Sequence, residues 1–529
     1  MVVSSLLCVT LEVCDPSGTR KPSSLKNLHL PVPPREFTLA LFETADLPLF
    51  LRISGAIVRD IARGRLRPGD PLPGTRTLAS SLGVHRSTVV AAYAELTSQG
   101  WLEAQRGGAT SIARVPPEVT PRRFAASADL RERVPSRTSY TVERAPAAAL
   151  TLPEVNRGDL LLWGGAPDLR LIPDELLTRL ARAYGRAAHQ HGGVLFGYTR
   201  EVRGHPRLRA ALAELLSNAR GLAAGENSVF VTRGSQMALE LIARALISPG
   251  DVVAVEALGY PNAFNLFRRA GARLLPVLVD AHGIDVAALT RLHAEHPVRL
   301  VYVTPHHQYP TTVTLASARR AALLDFARKE RVAIVEDDYD QEFHYDGRPV
   351  LPLASADPHG SVIYVGTLAK IFAPGLRLAF VVAPEPLLAR MDHERVLLDR
   401  QGDQVLECAV AELLEDGEVQ RHVRRVRRVY QSRRDTFCDA LDAGLGDKVA
   451  YRRPAGGLAL WAGVSHGIDV EAWRNSARKL GVHFQIGRQF SVDGRSVPCA
   501  RFGFALLDEF EIPRAVCRLR ESLPAKASR

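Results

Sequence analysis

Apolar positions recur along this chain of 529 residues with two different periods. In "LFLRISGAIVRDIARGRL", residues 49–66, Phe50, Ile53, Ile57 and Ile61 fall on one face of a helix, which "RPGD" then stops. "TRTLASSLG" follows, with Leu78, Ala79 and Leu82 on one side and Gly83 just past its end. "VHRSTVVAAYAELTSQG" restarts a helix that turns Val89, Tyr93 and Leu96 inward. Two short helices flanking a turn of four residues have helix-turn-helix spacing. Two short strands joined by Arg106, Gly107 and Gly108 come next, so residues 71–113 read as a winged helix. Beyond residue 158 the period changes. Strand-like runs ("SVFVT", "DVVAVE", "RLLPVLV", "RLVYVT", "VAIVEDD", "VIYVGT") alternate with helical segments such as 236–247 and 315–329. That alternation predicts an α/β domain whose mostly parallel sheet is covered on both faces.

The prediction is therefore multi-domain, with a winged helix over 45–114 and the α/β domain over 158–525. Residues 1–44 lack sustained periodicity and include "PVPPRE", so they read as a disordered leader, or as a start site placed too early. Residues 115–157 carry prolines and arginines with almost no apolar period, which predicts a semi-rigid basic linker. Hydrophobic residues at 46% and charged residues at 24% are ordinary for a folded chain, and the net charge of +11 is only a weak pointer to phosphate-bearing partners. The six cysteines are scattered without C-x-x-C spacing, so neither a disulfide framework nor a metal site is indicated. No apolar run approaches the roughly 18 residues of a membrane helix, and the N-terminus lacks a cationic signal start, so a cytoplasmic location is expected.

Two sets of residues carry chemistry. Between 49 and 114 nine arginines stand against four acids, and Arg76, His85, Arg86, Ser87 and Thr88 cluster where the second and third helices begin. Helix N-termini and arginines suit phosphate, and side chains on a first turn can reach base edges in the major groove, so double-stranded DNA is the expected partner, with Arg106 and Gly107 at the wing. A small helical interaction domain is the plainer alternative. In the larger domain Lys370 follows the strand "YVGT" in a loop of small residues. Read alone it is a surface lysine; with its neighbours it matches the needs of pyridoxal 5'-phosphate. Asp337 at a strand end can keep the ring nitrogen protonated. Gly234, Ser235 and Gln236 open a helix whose N–H groups suit the phosphate, and Thr367 and Arg377 can complete that cup. Tyr260 would be the ring platform and Tyr339 a donor to the phenolic oxygen.

The segment 71–113 resembles the winged helix of GntR-type regulators through its Leu-Pro-x-x-Arg, Gly-Val-x-Arg-x-Thr-Val and wing-tip glycines. It departs at His85, where a capping serine is usual, and at Ala109, where glycine is usual. The order glycine-serine, tyrosine, acid, lysine, arginine in the larger domain looks like a fold type I aminotransferase. The whole, with "YVTPHHQYPTTVTL", "EDDYD", "YVGTLAK" and "PGLRL", resembles the MocR-type regulators of the GntR superfamily over residues 45–525. That resemblance implies a head-to-tail homodimer in which Tyr198 reaches the partner's phosphate. It also implies an arginine for the effector's carboxylate: Arg501 in "CARFGFALLDEF", with Arg488 in "QIGRQFSV" as the rival and a plain surface charge as the alternative for each. Departures here are Ala369 before the lysine, Thr312 in the Pro-Thr-Gly turn, Leu258 before Gly-Tyr, and Ala379 after Arg-Leu.

Three functions fit these residues. The first is a transcription regulator that senses an amine or amino acid by transimination at Lys370. The second is an active aminotransferase carrying a DNA-binding domain. The third is a DNA-binding protein whose cofactor site has decayed, favoured only by the departures.

Overall fold

The computed structural model describes residues 39, 48–104, 109–117, 139–142, 154–347 and 349–524, in two compact units that divide between 144 and 145. Most of the predicted leader and linker, and the wing-tip residues Arg106, Gly107 and Gly108, lie outside the described residues.

The first unit contains α1 (Leu49–Ala62), α2 (Thr75–Leu82), α3 (Arg86–Ser98) and the antiparallel pair β1 (Leu102–Ala104) and β2 (Thr110–Ile112). Its core is the union of the apolar stripes read from the sequence: Ile53 and Ile57 of α1, Leu78 of α2, and Val89, Tyr93 and Leu96 of α3 are buried together. Gly83 ends α2 at φ 64°, a left-handed conformation that glycine adopts without penalty. His85 replaces the missing serine cap. Its ring accepts a hydrogen bond from the Ser87 amide at 3.3 Å and lies 2.6 Å from the Ser87 hydroxyl, so the first turn of α3 keeps a side-chain partner. The Tyr93 hydroxyl donates to the Pro73 carbonyl at 2.8 Å and ties α3 to the segment entering α2.

In the second unit a sheet of seven strands has the order β4 (Val229–Thr232), β12 (Ala379–Val382), β11 (Val362–Thr367), β10 (Ala333–Asp338), β9 (Val298–Val303), β5 (Val252–Glu256), β6 (Arg273–Val277). All neighbours pair parallel except β12, which runs antiparallel to both β11 and β4. The unbroken apolar runs follow from burial on both faces. Val253, Val255, Leu300, Tyr302 and Val335 pack on one side with the helices Ser235–Leu246 and Pro261–Arg269. Their alternates Val252, Ala254, Val301, Val303 and Ile334 pack on the other with Val286–Glu295 and Ser317–Glu330. Pro276, which cannot donate to a ladder, sits in the edge strand β6. A second sheet has the order β13 (Val449–Tyr451), β14 (Ala459–Val464), β16 (Cys499–Gly503), β15 (Val482–Ile486), β3 (Leu160–Leu162). The short strands β7 (Val279–Asp280) and β8 (Gly283–Ile284) form a separate hairpin. Among the described residues no helix is long and apolar enough to cross a membrane.

Candidate functional site

The residues singled out in the larger domain come from the ends of several parallel strands, the edge at which open α/β sheets place their ligands. Lys370 lies in the turn that follows β11, Asp337 is next to last in β10, and Gly234 stands between β4 and the helix it caps. Lys370 is half-buried, and its Nζ donates to the Gly165 carbonyl at 3.2 Å. Burial, and then the charge of Arg501, bring its pKa down to about 8, so the neutral nucleophilic amine is accessible near physiological pH.

Asp337 belongs to the same sheet face as Val335, which pairs in register with Tyr302 of β9. The Tyr302 hydroxyl accordingly reaches Asp337 Oδ2 at 2.7 Å. Burial pushes the Asp337 carboxyl up to about 6, with the Tyr302 hydrogen bond and the Lys370 charge acting against it. A protonated ring nitrogen beside it would add a second positive partner to the Lys370 charge.

Gly234 and Arg377, two of the residues expected to hold a phosphate, are in contact. Gly234 has φ 86°, and a Cβ there would lie 2.7 Å from Arg377 Nη2, so the guanidinium packs directly over the glycine that opens the helix. Arg377 Nη2 donates to the Arg233 carbonyl at 3.0 Å, and no carboxylate pairs with it among the described residues. Thr367, the last residue of β11, accepts from the Ala369 amide at 3.1 Å. Gln236 Nε2 donates to the Tyr260 hydroxyl at 3.2 Å, joining the helix opening to the aromatic wall. A basic guanidinium, a free helix N-terminus and a glycine cradle form an anion site, so these residues fit the phosphorylated cofactor.

Arg501 is 2% exposed in the middle of β16, opposite Trp461 and Gln485. Its Cζ stands 4.4 Å over the Tyr309 ring, and its Nε and Nη1 are buried without a hydrogen-bond partner. A Cβ on Gly165 would come within 3.3 Å of Arg501 Nη2, so Gly165, at φ 61°, separates this guanidinium from the Lys370 amine. Arg488 lies elsewhere: its side chain is 59% exposed, pairs with Glu471 at 3.2 Å and takes part in none of these contacts. The Tyr339 hydroxyl donates to the His307 carbonyl at 2.8 Å. Tyr198 is exposed, with Arg400 stacked 4.7 Å over its ring.

Sequence reading did not single out Gly165, Tyr302, Tyr309 or Asp340. Gly165 had a signal, a glycine pair before "APD" that marks a turn. Tyr309 touches Tyr260, Tyr339 and Phe490 edge-on and is a hub of the aromatic wall, which only the fold assembles. Of the departures, Thr312 holds φ 64°, a strained conformation for a β-branched residue in the place of a glycine.

In the first unit Arg76, His85, Arg86 and Ser87 are exposed and Thr88 is half-buried. Arg86 Nε donates to Thr75 Oγ1 at 3.4 Å, bringing the N-termini of α2 and α3 together.

Residues 172–519 match the family model described as aminotransferase class I and II, and residues 49–112 match bacterial regulatory proteins of the gntR family. The probable rhizopine catabolism regulatory protein MocR of Rhizobium meliloti is 33% identical over 457 residues, 85% of this chain and 89% of that one. The chain belongs to the MocR-type regulators. Another relative in the same group is the pyridoxine biosynthesis transcriptional regulator PdxR of Corynebacterium glutamicum, 30% identical over 84% of this chain and 95% of its own. Among solved structures, the α-aminoadipate aminotransferase LysN of Thermus thermophilus, complexed with N-(5'-phosphopyridoxyl)-L-leucine, superposes with TM-score 0.64 at 30% identity. It covers 69% of this chain and 92% of that one. As a MocR-type regulator the chain is a pyridoxal-phosphate-dependent transcription regulator with a DNA-binding winged helix and a fold type I aminotransferase domain.

Proposed function

We propose that this regulator senses an amino acid, and that the sensing event is exchange of the Lys370 amine for the effector's amine on the cofactor. The observation that carries this reading is the pairing of Lys370 with the orphaned Arg501 guanidinium across Gly165. One group suits an amine and the other a carboxylate. Pyridoxal phosphate supplies an aldehyde for imine formation and a ring that withdraws electrons from the amine carbon. Gly234, Ser235, Gln236, Thr367 and Arg377 would hold its phosphate. Asp337 would pair with its ring nitrogen, and Tyr260 would flank the ring. Tyr339 serves the phenolic oxygen only if its hydroxyl leaves the His307 carbonyl. In the DNA-binding unit Arg76, His85, Arg86, Ser87 and Thr88 would face the operator; Arg106 and Gly107, which lie outside the described residues, are the further candidates for DNA contact.

A homodimer completes this reading. The exposed Val194, Phe196 and Tyr198 form an apolar run that a second copy can cover, with Tyr198 reaching the partner's phosphate. Effector binding then acts on the operator by favouring one arrangement of the dimer over another.

Full-length protein screened against amino acids by visible absorption, with product analysis in parallel, tests the reading. A spectral change without accumulating keto acid supports it. Catalytic keto-acid production supports the alternative, an active aminotransferase with a DNA-binding domain. That alternative is favoured by the intact lysine, acid and arginine set and by relatives such as the 2-aminoadipate transaminase of Thermus thermophilus, 32% identical over 370 residues. Absence of any cofactor band would refute both.

A further inference from the structure

Beside the cofactor pocket lies a group of side chains that the sensing reading leaves unused. We propose that His306, His307 and His344 form a binding site for one divalent transition-metal ion of the zinc class. One ring nitrogen from each lies within 4.8 Å of the others. Nitrogens bonded to a tetrahedral ion at about 2.0–2.1 Å stand roughly 3.4 Å apart, so small ring rotations close the site.

Two of the rings present unclaimed nitrogens. His306 is 4% and His307 1% exposed, yet Nε2 of both is buried without a hydrogen-bond partner, and the half-buried His344, whose ring also interacts with the backbone at Asp346, stands beside them. Buried polar atoms nearly always have partners, and two imidazoles lacking them beside a third form a donor set whose acceptor is missing. The orientation of the His307 ring is set by Asp340: its Nδ1 lies 2.8 Å from Asp340 Oδ1, which leaves Nε2 as the nitrogen available to an ion. A carboxylate behind a histidine in this way orients the ring and strengthens it as a ligand.

Arg220, which lines the same cavity as His344, is paired with Glu342 and lies 3.9 Å from Asp338, so its charge is offset. There is also an entry path. His344 lines a cavity of about 220 Å³ together with Arg220, Gln341 and Glu342, through which an ion and a water as fourth ligand can arrive. The site adjoins the cofactor pocket, because the His307 carbonyl accepts from Tyr339 and the Asp340 charge acts on Lys370.

Tag-free full-length protein with its cofactor would be titrated with cobalt(II) and with zinc(II), reading the cobalt absorption as a difference spectrum and the bound metal per chain. One ion per chain is expected. His306→Asn and His344→Gln should each weaken it about 100-fold or more, and Asp340→Asn about 10 to 100-fold. Lys370→Ala, which releases the cofactor's covalent hold, should still bind one ion, separating this site from chelation by the cofactor phosphate. X-ray absorption on the wild-type metal complex needs no variant to fold: three imidazole nitrogens with one oxygen are expected. The inference is overturned if no ion binds at micromolar concentration, if both histidine variants bind as the wild type does, or if fewer than two imidazoles surround the ion.

Discussion

Replacing Arg501 should make the effector-free protein more stable while removing its ability to recognise a carboxylate. The guanidinium is buried, has an aromatic ring beneath it, and leaves Nε and Nη1 without partners. A buried unsatisfied donor costs roughly 1–3 kcal/mol, so Arg501→Met, of similar length and without donors, should raise effector-free stability by about 1 kcal/mol or more. The same change removes charge-assisted hydrogen bonds worth roughly 1.5–3 kcal/mol to a bound carboxylate, a loss in amino-acid affinity of about 10 to 150-fold. Arg501→Lys should recover only part of that affinity, since an ammonium cannot reproduce the planar fork. Urea unfolding of the effector-free variants gives the first quantity. Titration of the cofactor band with an amino acid and with its decarboxylated amine gives the second. Wild type should prefer the amino acid and Arg501→Met should show no preference. The reasoning fails if Arg501→Met keeps the preference, or if it loses stability as an ordinary core arginine would. Loss of preference in Arg488→Ala alone would transfer the carboxylate site to the surface segment beside Glu471.

Three other outcomes follow from the same geometry. Arg76→Ala and Arg86→Ala should each weaken operator binding and reduce the slope of log affinity against log salt by about one, measured by fluorescence anisotropy at several salt concentrations; an unchanged slope would remove them from the phosphate contacts. Because the Lys370 pKa is lowered to about 8, its amine is protonated below that pH and neutral above it. The rate at which cofactor-free protein takes up pyridoxal phosphate should therefore rise about tenfold per pH unit below 8 and level off above, and Arg501→Met should move the bend upward because a neighbouring positive charge is gone. Thr312→Gly should stabilise the larger domain by about 1 kcal/mol, since glycine holds φ 64° without strain; a lower melting temperature in the variant would refute this.

What could be read from the chain was what depends on local order. The helix stripes at Ile53, Leu78, Val89 and Tyr93, and the runs that became β5, β9, β10 and β11, reflect periods set by a single element and its burial. The reversed direction of β12 was not legible, because "LAFVV" carries the same apolar signal in either orientation. Lys370 and Asp337 stood out because each lies near the end of a strand, Asp337 next to last in β10 and Lys370 in the turn after β11. The Tyr302 contact to Asp337 depends on the β9–β10 register, and the meeting of Gly165 with both Lys370 and Arg501 spans more than 200 residues, so no local pattern announces either. The histidine cluster joins two adjacent residues to a third from another segment, without the regular ligand spacing by which metal sites are usually recognised. His85 shows the opposite case: an unusual residue at a helix start whose capping role is visible only once its ring is seen on the Ser87 amide.

The most direct measurement is operator affinity of wild type and Lys370→Ala, each with and without an amino acid that perturbs the wild-type cofactor band. Wild type should change its operator affinity or footprint with the same midpoint as the spectral change, without accumulating keto acid. Lys370→Ala should bind the operator and give no response. An undiminished effector response in Lys370→Ala, or a wild-type response whose midpoint is unrelated to the spectral one, would contradict sensing through the Lys370 amine.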